Sequence, residues 1–169
     1  IRIDIDHADS TPRLINQELV IVEKERKGGI LAQLLNDHEG PILVFSRTRH
    51  GARKVVKSLR NQGHSAAEIH SDRTMSQRRT ALDGFKSGTF RVLVATDIAA
   101  RGIDVKQITL VINYDMPATP EDYFHRIGRT GRAGHTGKAI TLATPDQNDN
   151  VREIQKAMKE PLLRSKQYA

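Results

Sequence analysis

The segment Tyr123-Phe124-His125-Arg126-Ile127-Gly128-Arg129-Thr130-Gly131-Arg132-Ala133-Gly134 repeats an arginine at every third position and interrupts the run with glycines. Guanidinium groups at i and i+3 of a helical turn project as neighbours from one face. Each planar fork can bind two phosphate oxygens at once, which a lysine ammonium cannot do. Gly131 and Gly134 add a sharp turn with exposed backbone N–H groups. The chemistry that such a set supports is the binding of a polyanionic phosphate. A plain basic helix end, with its arginines solvated or paired to acids, fits the triplet equally well on spacing alone. A second stretch narrows the choice. Val92-Leu93-Val94-Ala95 reads as a buried strand, and Thr96-Asp97-Ile98-Ala99-Ala100-Arg101-Gly102-Ile103-Asp104 follows it as a polar loop with two carboxylates and a glycine.

Together these stretches resemble motifs V and VI of the DEAD-box RNA helicases, TDxAARGxD and HRIGRTGR, in the usual order and separation. Motif IV is similar too, as Val44-Phe45-Ser46-Arg47-Thr48, and the likeness runs from Asn16 to Met158. The resemblance implies the C-terminal RecA-like lobe of an ATP-dependent RNA helicase. In that family the counterparts of Arg129 and Arg132 are arginine fingers, catalytic residues that reach ATP held by the other lobe. Gly102 and Asp104 would join them in binding ATP, with Gly102 close to its strand and Asp104 hydrogen-bonded to the ribose. Thr48, Arg78 and Thr96 would contact the RNA backbone. Asp97, His125 and Arg126 would couple the two lobes, with Asp97 paired to an arginine of motif VI. ATP and Mg2+ are the implied cofactors, bound mainly by the N-terminal lobe of the same polypeptide, and RNA is the implied partner. One motif departs from the pattern: the family's QxxR aligns with Met75-Ser76-Gln77-Arg78, so the arginine is present and the glutamine is not. Gln77 is two positions late and points elsewhere on a helix, while Met75 reads as a packing residue.

The other half of this chemistry is missing from the sequence. Nucleotide triphosphate binding of this kind needs GxxxxGK[ST] between a strand and a helix. Gly134-His135-Thr136-Gly137-Lys138-Ala139 has the final glycine and lysine, but Arg132 stands where the first glycine belongs and Ala139 where the magnesium hydroxyl belongs. It also runs into an apolar strand, so it reads as a turn. A DEAD tetrapeptide is absent as well. The isolated chain is therefore expected not to hydrolyse ATP. No metal site is expected: nothing else in the sequence supports Asp97 and Asp104 as a metal or acid–base pair, the resemblance implies that hydrolysis uses acids of the other lobe, and His50, His64, His70 and His135 show no ligand spacing. Two rival readings are a stand-alone RNA-binding or regulatory module of the same fold and a DNA helicase lobe. The first has no use for Arg129, Arg132 and Asp104 together; the full wording of motifs V and VI disfavours the second.

These residues need a scaffold, and the chain has the material for one. Its 169 residues, 37% of them hydrophobic, suit a single domain. A net charge of +7, from 27 basic and 20 acidic residues, favours an acidic partner such as nucleic acid. Aromatic residues amount to only 4%, which argues against a base-stacking platform. The absence of cysteine excludes disulfides and cysteine-ligated zinc and suits the cytoplasm. No apolar run approaches the roughly 18 residues of a membrane span, and Ile1-Arg2-Ile3-Asp4 is no signal peptide. A start at isoleucine reads as an excised piece of a longer chain.

Short apolar runs alternate with helical patterns, which predicts an α/β domain with a mainly parallel sheet and helices on both faces. Strands are expected over 19–22, 42–45, 66–69, 92–95, 110–113 and 139–143, and helices over 27–35, 49–61, 76–86, 120–127 and 145–159. Thr74 with Gln77 and Thr144 with Gln147 fit capping boxes, Thr48 fits an N-cap, and Pro120 and Pro145 suit first helical positions. Residues 1–15, where Ile1, Ile3 and Ile5 alternate with polar residues, are an edge strand or inter-lobe linker, with a polar loop over 7–13. Residues 16–160 form the domain and 161–169 a tail. Ligands of open α/β sheets gather beyond the C-terminal strand ends, so the segments 46–48, 70–74, 96–104 and 114–119 should converge on one edge.

Overall fold

The computed structural model describes residues 2–5, 13–132 and 136–168, with side chains from Ile15 onward. In chain order these residues form β1 (Arg2–Ile5), β2 (Arg13–Ile21), α1 (Lys27–Asp37), β3 (Ile42–Phe45), α2 (Arg49–Asn61), β4 (Ala66–Ile69) and α3 (Met75–Ser87). Then follow β5 (Val92–Ala95), α4 (Asp97–Ala100), β6 (Leu110–Asn113), α5 (Pro120–Ile127), β7 (Gly137–Ala143) and α6 (Asn148–Met158). The seven strands make one sheet in the order β1-β2-β7-β6-β3-β5-β4. All pairings are parallel except β1 with β2, which is antiparallel at the edge.

Side chains of the central strands divide between two cores because successive residues point to opposite faces. Ile42, Val44, Val92, Val94, Leu110 and Ile112 pack under α1 and α2, against residues such as Leu34 and Val55. Leu43, Phe45, Leu93, Ala95 and Val111 pack under α3, α5 and α6, against Phe85, Tyr123 and Ile154. A strand covered on both faces needs no polar alternate, which is why these strands read as continuous apolar runs.

All six expected strands are present. β2 begins at Arg13, well before the expected start, because it pairs with β7 over its later length while carrying polar Asn16, Gln17 and Glu18. The expected helix over 145–159 is divided into a 3-10 turn at Pro145–Gln147 and α6, which ends on Lys159 at φ +59°. The one-turn α4 was not expected. Residues 2–5 take the edge-strand alternative. Most of the expected loop over 7–13, and the turn residues Ala133, Gly134 and His135, lie outside the described residues. The C-terminal segment docks: Leu19 N–H donates to Leu163 O at 2.9 Å and Ser165 N–H to Leu19 O at 2.7 Å, extending the outer edge of β2 beyond β1. Tyr168 is buried, and its hydroxyl donates to Asp37 at 2.6 Å.

Candidate functional site

Parallel register sets the ends of β3, β5 and β6 level, with Phe45 beside Ala95 and Asn113. The segments beyond them meet at one guanidinium. α5 starts at Thr119, whose Oγ1 accepts the Asp122 N–H at 3.1 Å, with Pro120 in its first turn. Its buried residues are Tyr123, Arg126 and Ile127, so i, i+3, i+4 spacing drives an arginine into the core at 2% exposure. A buried charge persists only when paired and hydrogen-bonded. Arg126 Nε and Nη2 donate to the two oxygens of Asp97 at 2.6 and 2.8 Å. Nη1 donates to Asp115 O at 2.6 Å and to Asn113 Oδ1 at 3.3 Å, and the guanidinium carbon lies 5.1 Å from the centre of the Phe45 ring. The pairing of Asp97 with a motif VI arginine is thus bidentate and involves Arg126. Within this lobe the Arg126 guanidinium is engaged on every side, and its partner Asp97 has a side chain 36% exposed. His125, the adjacent residue, is exposed.

Beyond α4 the chain turns at Gly102 with φ +77°, a left-handed conformation that glycine adopts without steric penalty. Nothing lies within 4 Å of where a Cβ would stand, so the left-handed turn rather than crowding within the lobe favours glycine here. Ile103 is buried, leaving Asp104 at the rim. Both remaining arginines rest on this loop: Arg129 Nη1 donates to Ile103 O at 3.0 Å, and Arg132 Nη1 to Asp104 Oδ1 at 2.8 Å. Burial lowers the pKa of Arg129, and the like charge of Arg132 adds to the effect while Asp104 opposes it. Arg132 Nε is buried with no hydrogen-bond partner among the described residues. A guanidinium with one nitrogen unpaired among the described residues and a second guanidinium held by a neutral carbonyl are donors suited to phosphate oxygens, and the exposed carboxylate is an acceptor suited to a sugar hydroxyl. A neighbouring cavity of about 260 Å3 is lined by Phe45, Asp97, Gly102, His125, Arg126 and Arg129 among others.

The span between Arg129 and Arg132 is fixed by close packing. Thr130 Oγ1 donates to Ile108 O at 2.6 Å, and Gly131 has φ +70°. A Cβ on Gly137 would stand 2.5 Å from Gly131 N and 2.6 Å from Thr130 Oγ1. Gly137→Ala is therefore expected to displace this turn and destabilise the fold by about 1–3 kcal/mol. A denaturant titration checks it, and an unchanged midpoint would refute the packing account.

The three candidate RNA contacts also sit at the strand ends. Thr48 caps α2, its Oγ1 accepting the Gly51 N–H at 3.0 Å, a contribution of about 1 kcal/mol. Thr96 precedes α4 and makes no side-chain cap bond there. Arg78 Nη2 donates to Arg101 O at 3.3 Å, tying α3 to the end of α4. Thr74 and Gln77 form the expected capping box. That box overturns the reading of Met75 as a packing residue: it places Met75 at the first helical position, where the side chain is 77% exposed. His70 is a buried structural histidine between Glu68 Oε2 at 3.0 Å and the Asp72 N–H at 3.3 Å, its pKa lowered by burial and by Arg53. Among the described residues no group of three or more His, Cys, Asp or Glu could hold a metal ion, and no helix is long and apolar enough to cross a membrane.

Sequence reasoning missed Asp115 and Lys27. Asp115 Oδ2 accepts the Arg47 N–H at 2.8 Å, while Lys27 Nζ donates to Tyr114 O at 2.8 Å and lies 3.6 Å from Asp115 Oδ1. Burial lowers the pKa of Lys27 and Asp115 opposes that. Asp115 had a signal, since it follows a buried strand at the edge where ligands gather. Lys27 had none, because a lysine inside a charged run reads as solvated.

A model of the helicase conserved C-terminal domain matches residues 26–134. The DEAD-box ATP-dependent RNA helicase CshA of Bacillus licheniformis is 44% identical over 154 residues, covering 90% of this chain and 31% of that protein. The chain thus spans about a third of the length of that relative and of its Bacillus subtilis counterpart. Among solved structures, the E. coli DEAD-box protein SrmB, bound to the regulator of ribonuclease activity A, superposes with a TM-score of 0.84 at 33% identity. That match covers 89% of this chain and 90% of the other. The C-terminal domain of the DEAD-box protein Dbp5 superposes with a TM-score of 0.77 at 32% identity, over 85% of this chain and 84% of that one. Sheet, motif loops and correspondence over most of this chain agree: the chain belongs to the helicase conserved C-terminal domain family, as the C-terminal RecA-like lobe of a DEAD-box protein.

Proposed function

We propose that this chain is the lobe that closes over ATP and RNA in an ATP-dependent RNA helicase, and that it supplies arginine fingers to ATP hydrolysis coupled to local duplex unwinding. The observation that carries this reading is the convergence of Arg129 and Arg132 on the Ile103–Asp104 backbone and carboxylate. In the closed enzyme Arg132 exchanges Asp104 for phosphate oxygens, and Asp104 becomes free to accept a hydrogen bond from the ribose. Arg129 is already partly desolvated, so its interaction with an anion is stronger than it would be in water. Both guanidiniums then stabilise charge on the transferring phosphoryl group. Mg2+ neutralises phosphate charge when bound and is held mainly by the N-terminal lobe. Asp97, its partner Arg126 and the exposed His125 couple the lobes. Thr48, Arg78 and Thr96 hold the RNA backbone, which makes binding largely independent of sequence. Residues 16–160 constitute this lobe, preceded by the segment 1–15 that carries the edge strand and followed by the docked C-terminal segment.

The chain alone is expected to release no phosphate from ATP above background. Joined covalently to the N-terminal lobe of a DEAD-box relative, which raises the effective concentration of one lobe at the other, it should show RNA-stimulated turnover. Steady hydrolysis by the chain alone that Arg129→Ala abolishes would contradict the division of labour. A folded, RNA-binding fusion without turnover would favour a stand-alone RNA-binding module.

A further inference from the structure

The core-facing row of α1 is Lys27, Ile30, Leu31, Leu34 and Leu35, so a lysine stands where the spacing calls for an apolar residue. Its side chain is 6% exposed. Burial penalises an ammonium, and the first turn of a helix, with its positive dipole end, penalises it again. Stability therefore gives no reason for a cation at this position. Its partners do. Lys27 Nζ donates to Tyr114 O, lies 3.6 Å from Asp115 Oδ1 and stands 5.6 Å from the centre of the Tyr114 ring, so every contact is to the segment just beyond β6.

Asp115 passes the restraint on. Its Oδ2 accepts the Arg47 N–H at 2.8 Å and the Ser46 hydroxyl at 3.4 Å, which fixes the turn between β3 and Thr48, the N-cap of α2. Its carbonyl accepts from Arg126, the guanidinium that also holds Asp97. Lys27, Arg47, Thr48, Tyr114 and Asp115 are among the residues lining one cavity of about 780 Å3. We propose that Lys27 and Asp115 act as one unit of positioning residues, which holds Arg47 and Thr48 in the geometry that receives the RNA backbone and itself makes no RNA contact. The lysine orients the carboxylate, and the carboxylate orients the turn. This inference rests on the RNA-binding reading above, and its test tells the failure of one from the failure of the other.

The test is titration of this chain with fluorescently end-labelled oligouridylate at several ionic strengths, alongside thermal melting. Lys27→Met removes a positive charge and Asp115→Ala a negative one, so a mere change of potential would move affinity in opposite directions. Positioning moves it one way only: each variant should bind about three- to tenfold more weakly, the scale of one hydrogen bond. The Lys27→Met/Asp115→Ala double variant should lose no more than the more affected single variant, because both act through one turn. The slope of log affinity against log salt should stay that of the parent, whereas loss of a direct phosphate contact would reduce it by about 0.7. Lys27→Met should melt within roughly 4 °C of the parent, since methionine suits the apolar row and Asp115, with a side chain 30% exposed, stays hydrated. Parent binding with opposite shifts in the two single variants, additive losses in the double, or a slope reduced by about 0.7 in Lys27→Met would overturn the positioning unit. So would unchanged affinity in both single variants, or collapse of the fold in Lys27→Met, which would make the lysine a stability residue. Absence of any salt-dependent binding by the parent would overturn the RNA reading, and this inference with it.

Discussion

Arg129→Lys or Arg132→Lys, introduced into the chain joined to the N-terminal lobe of a DEAD-box relative, is expected to lower RNA-stimulated ATP turnover by about 10³- to 10⁵-fold. That range equals about 4–7 kcal/mol of transition-state stabilisation. Lysine retains the charge and loses the planar fork, so the deficit measures bidentate geometry rather than charge. The same substitutions should hardly disturb folding. The Arg132–Asp104 pair has an Asp104 side chain 68% exposed, and such pairs contribute about 0–1 kcal/mol. The Arg129 bond to Ile103 O is a single partly buried hydrogen bond, of about 1–2 kcal/mol. Effects on rate and on stability therefore differ by several kcal/mol, and measuring both for each variant separates them. Near-normal turnover in both lysine variants, or collapse of the fold in either, would remove the finger assignment.

The parts that could be read from the residues were those governed by local rules. β3 and β5 are apolar throughout, and β6 as far as Ile112, because helices cover both faces, and their bounds match the expected ones. Thr48 and Thr74 cap helices because their hydroxyls meet free N–H groups of the first turn. What could not be read depended on tertiary context. Asn16, Gln17 and Glu18 hide a strand that its neighbour β7 nevertheless pairs with. α4 is too short to show a period. Arg126 looked like one of three equivalent arginines, yet its i−3 and i+1 neighbours, Tyr123 and Ile127, are both fully buried, and their helical face carries it inward. Met75 looked like core until its place at the first turn of α3 put it in solvent. The motif pattern thus located the site and implied separate roles for its arginines, while the burial of Arg126 and its partners required the packing.

That division gives the largest expected stability effect. Asp97→Ala would leave Arg126, at 2% exposure, without the carboxylate that accepts two of its N–H groups. Removing one partner of a buried pair typically destabilises by about 3–5 kcal/mol, because the survivor remains charged and dry. Asp97 is itself about a third exposed, so water can reach part of the gap and the expected loss is nearer 2–3 kcal/mol. For a domain of this size that corresponds to a fall in thermal midpoint of roughly 4–12 °C. Asp104→Ala removes an acid of the same type from an exposed pair and should move the midpoint by no more than roughly 4 °C. The Asp97→Ala/Arg126→Met double variant tests the cause, since an apolar side chain of similar length removes the stranded charge and should recover part of the loss. Differential scanning calorimetry of the parent, both alanine variants and the double variant decides the matter. If Asp97→Ala melts with the parent, or if the double variant is less stable than Asp97→Ala alone, the Arg126–Asp97 pair does not hold the strand ends together and the coupling role proposed for Asp97 loses its structural basis.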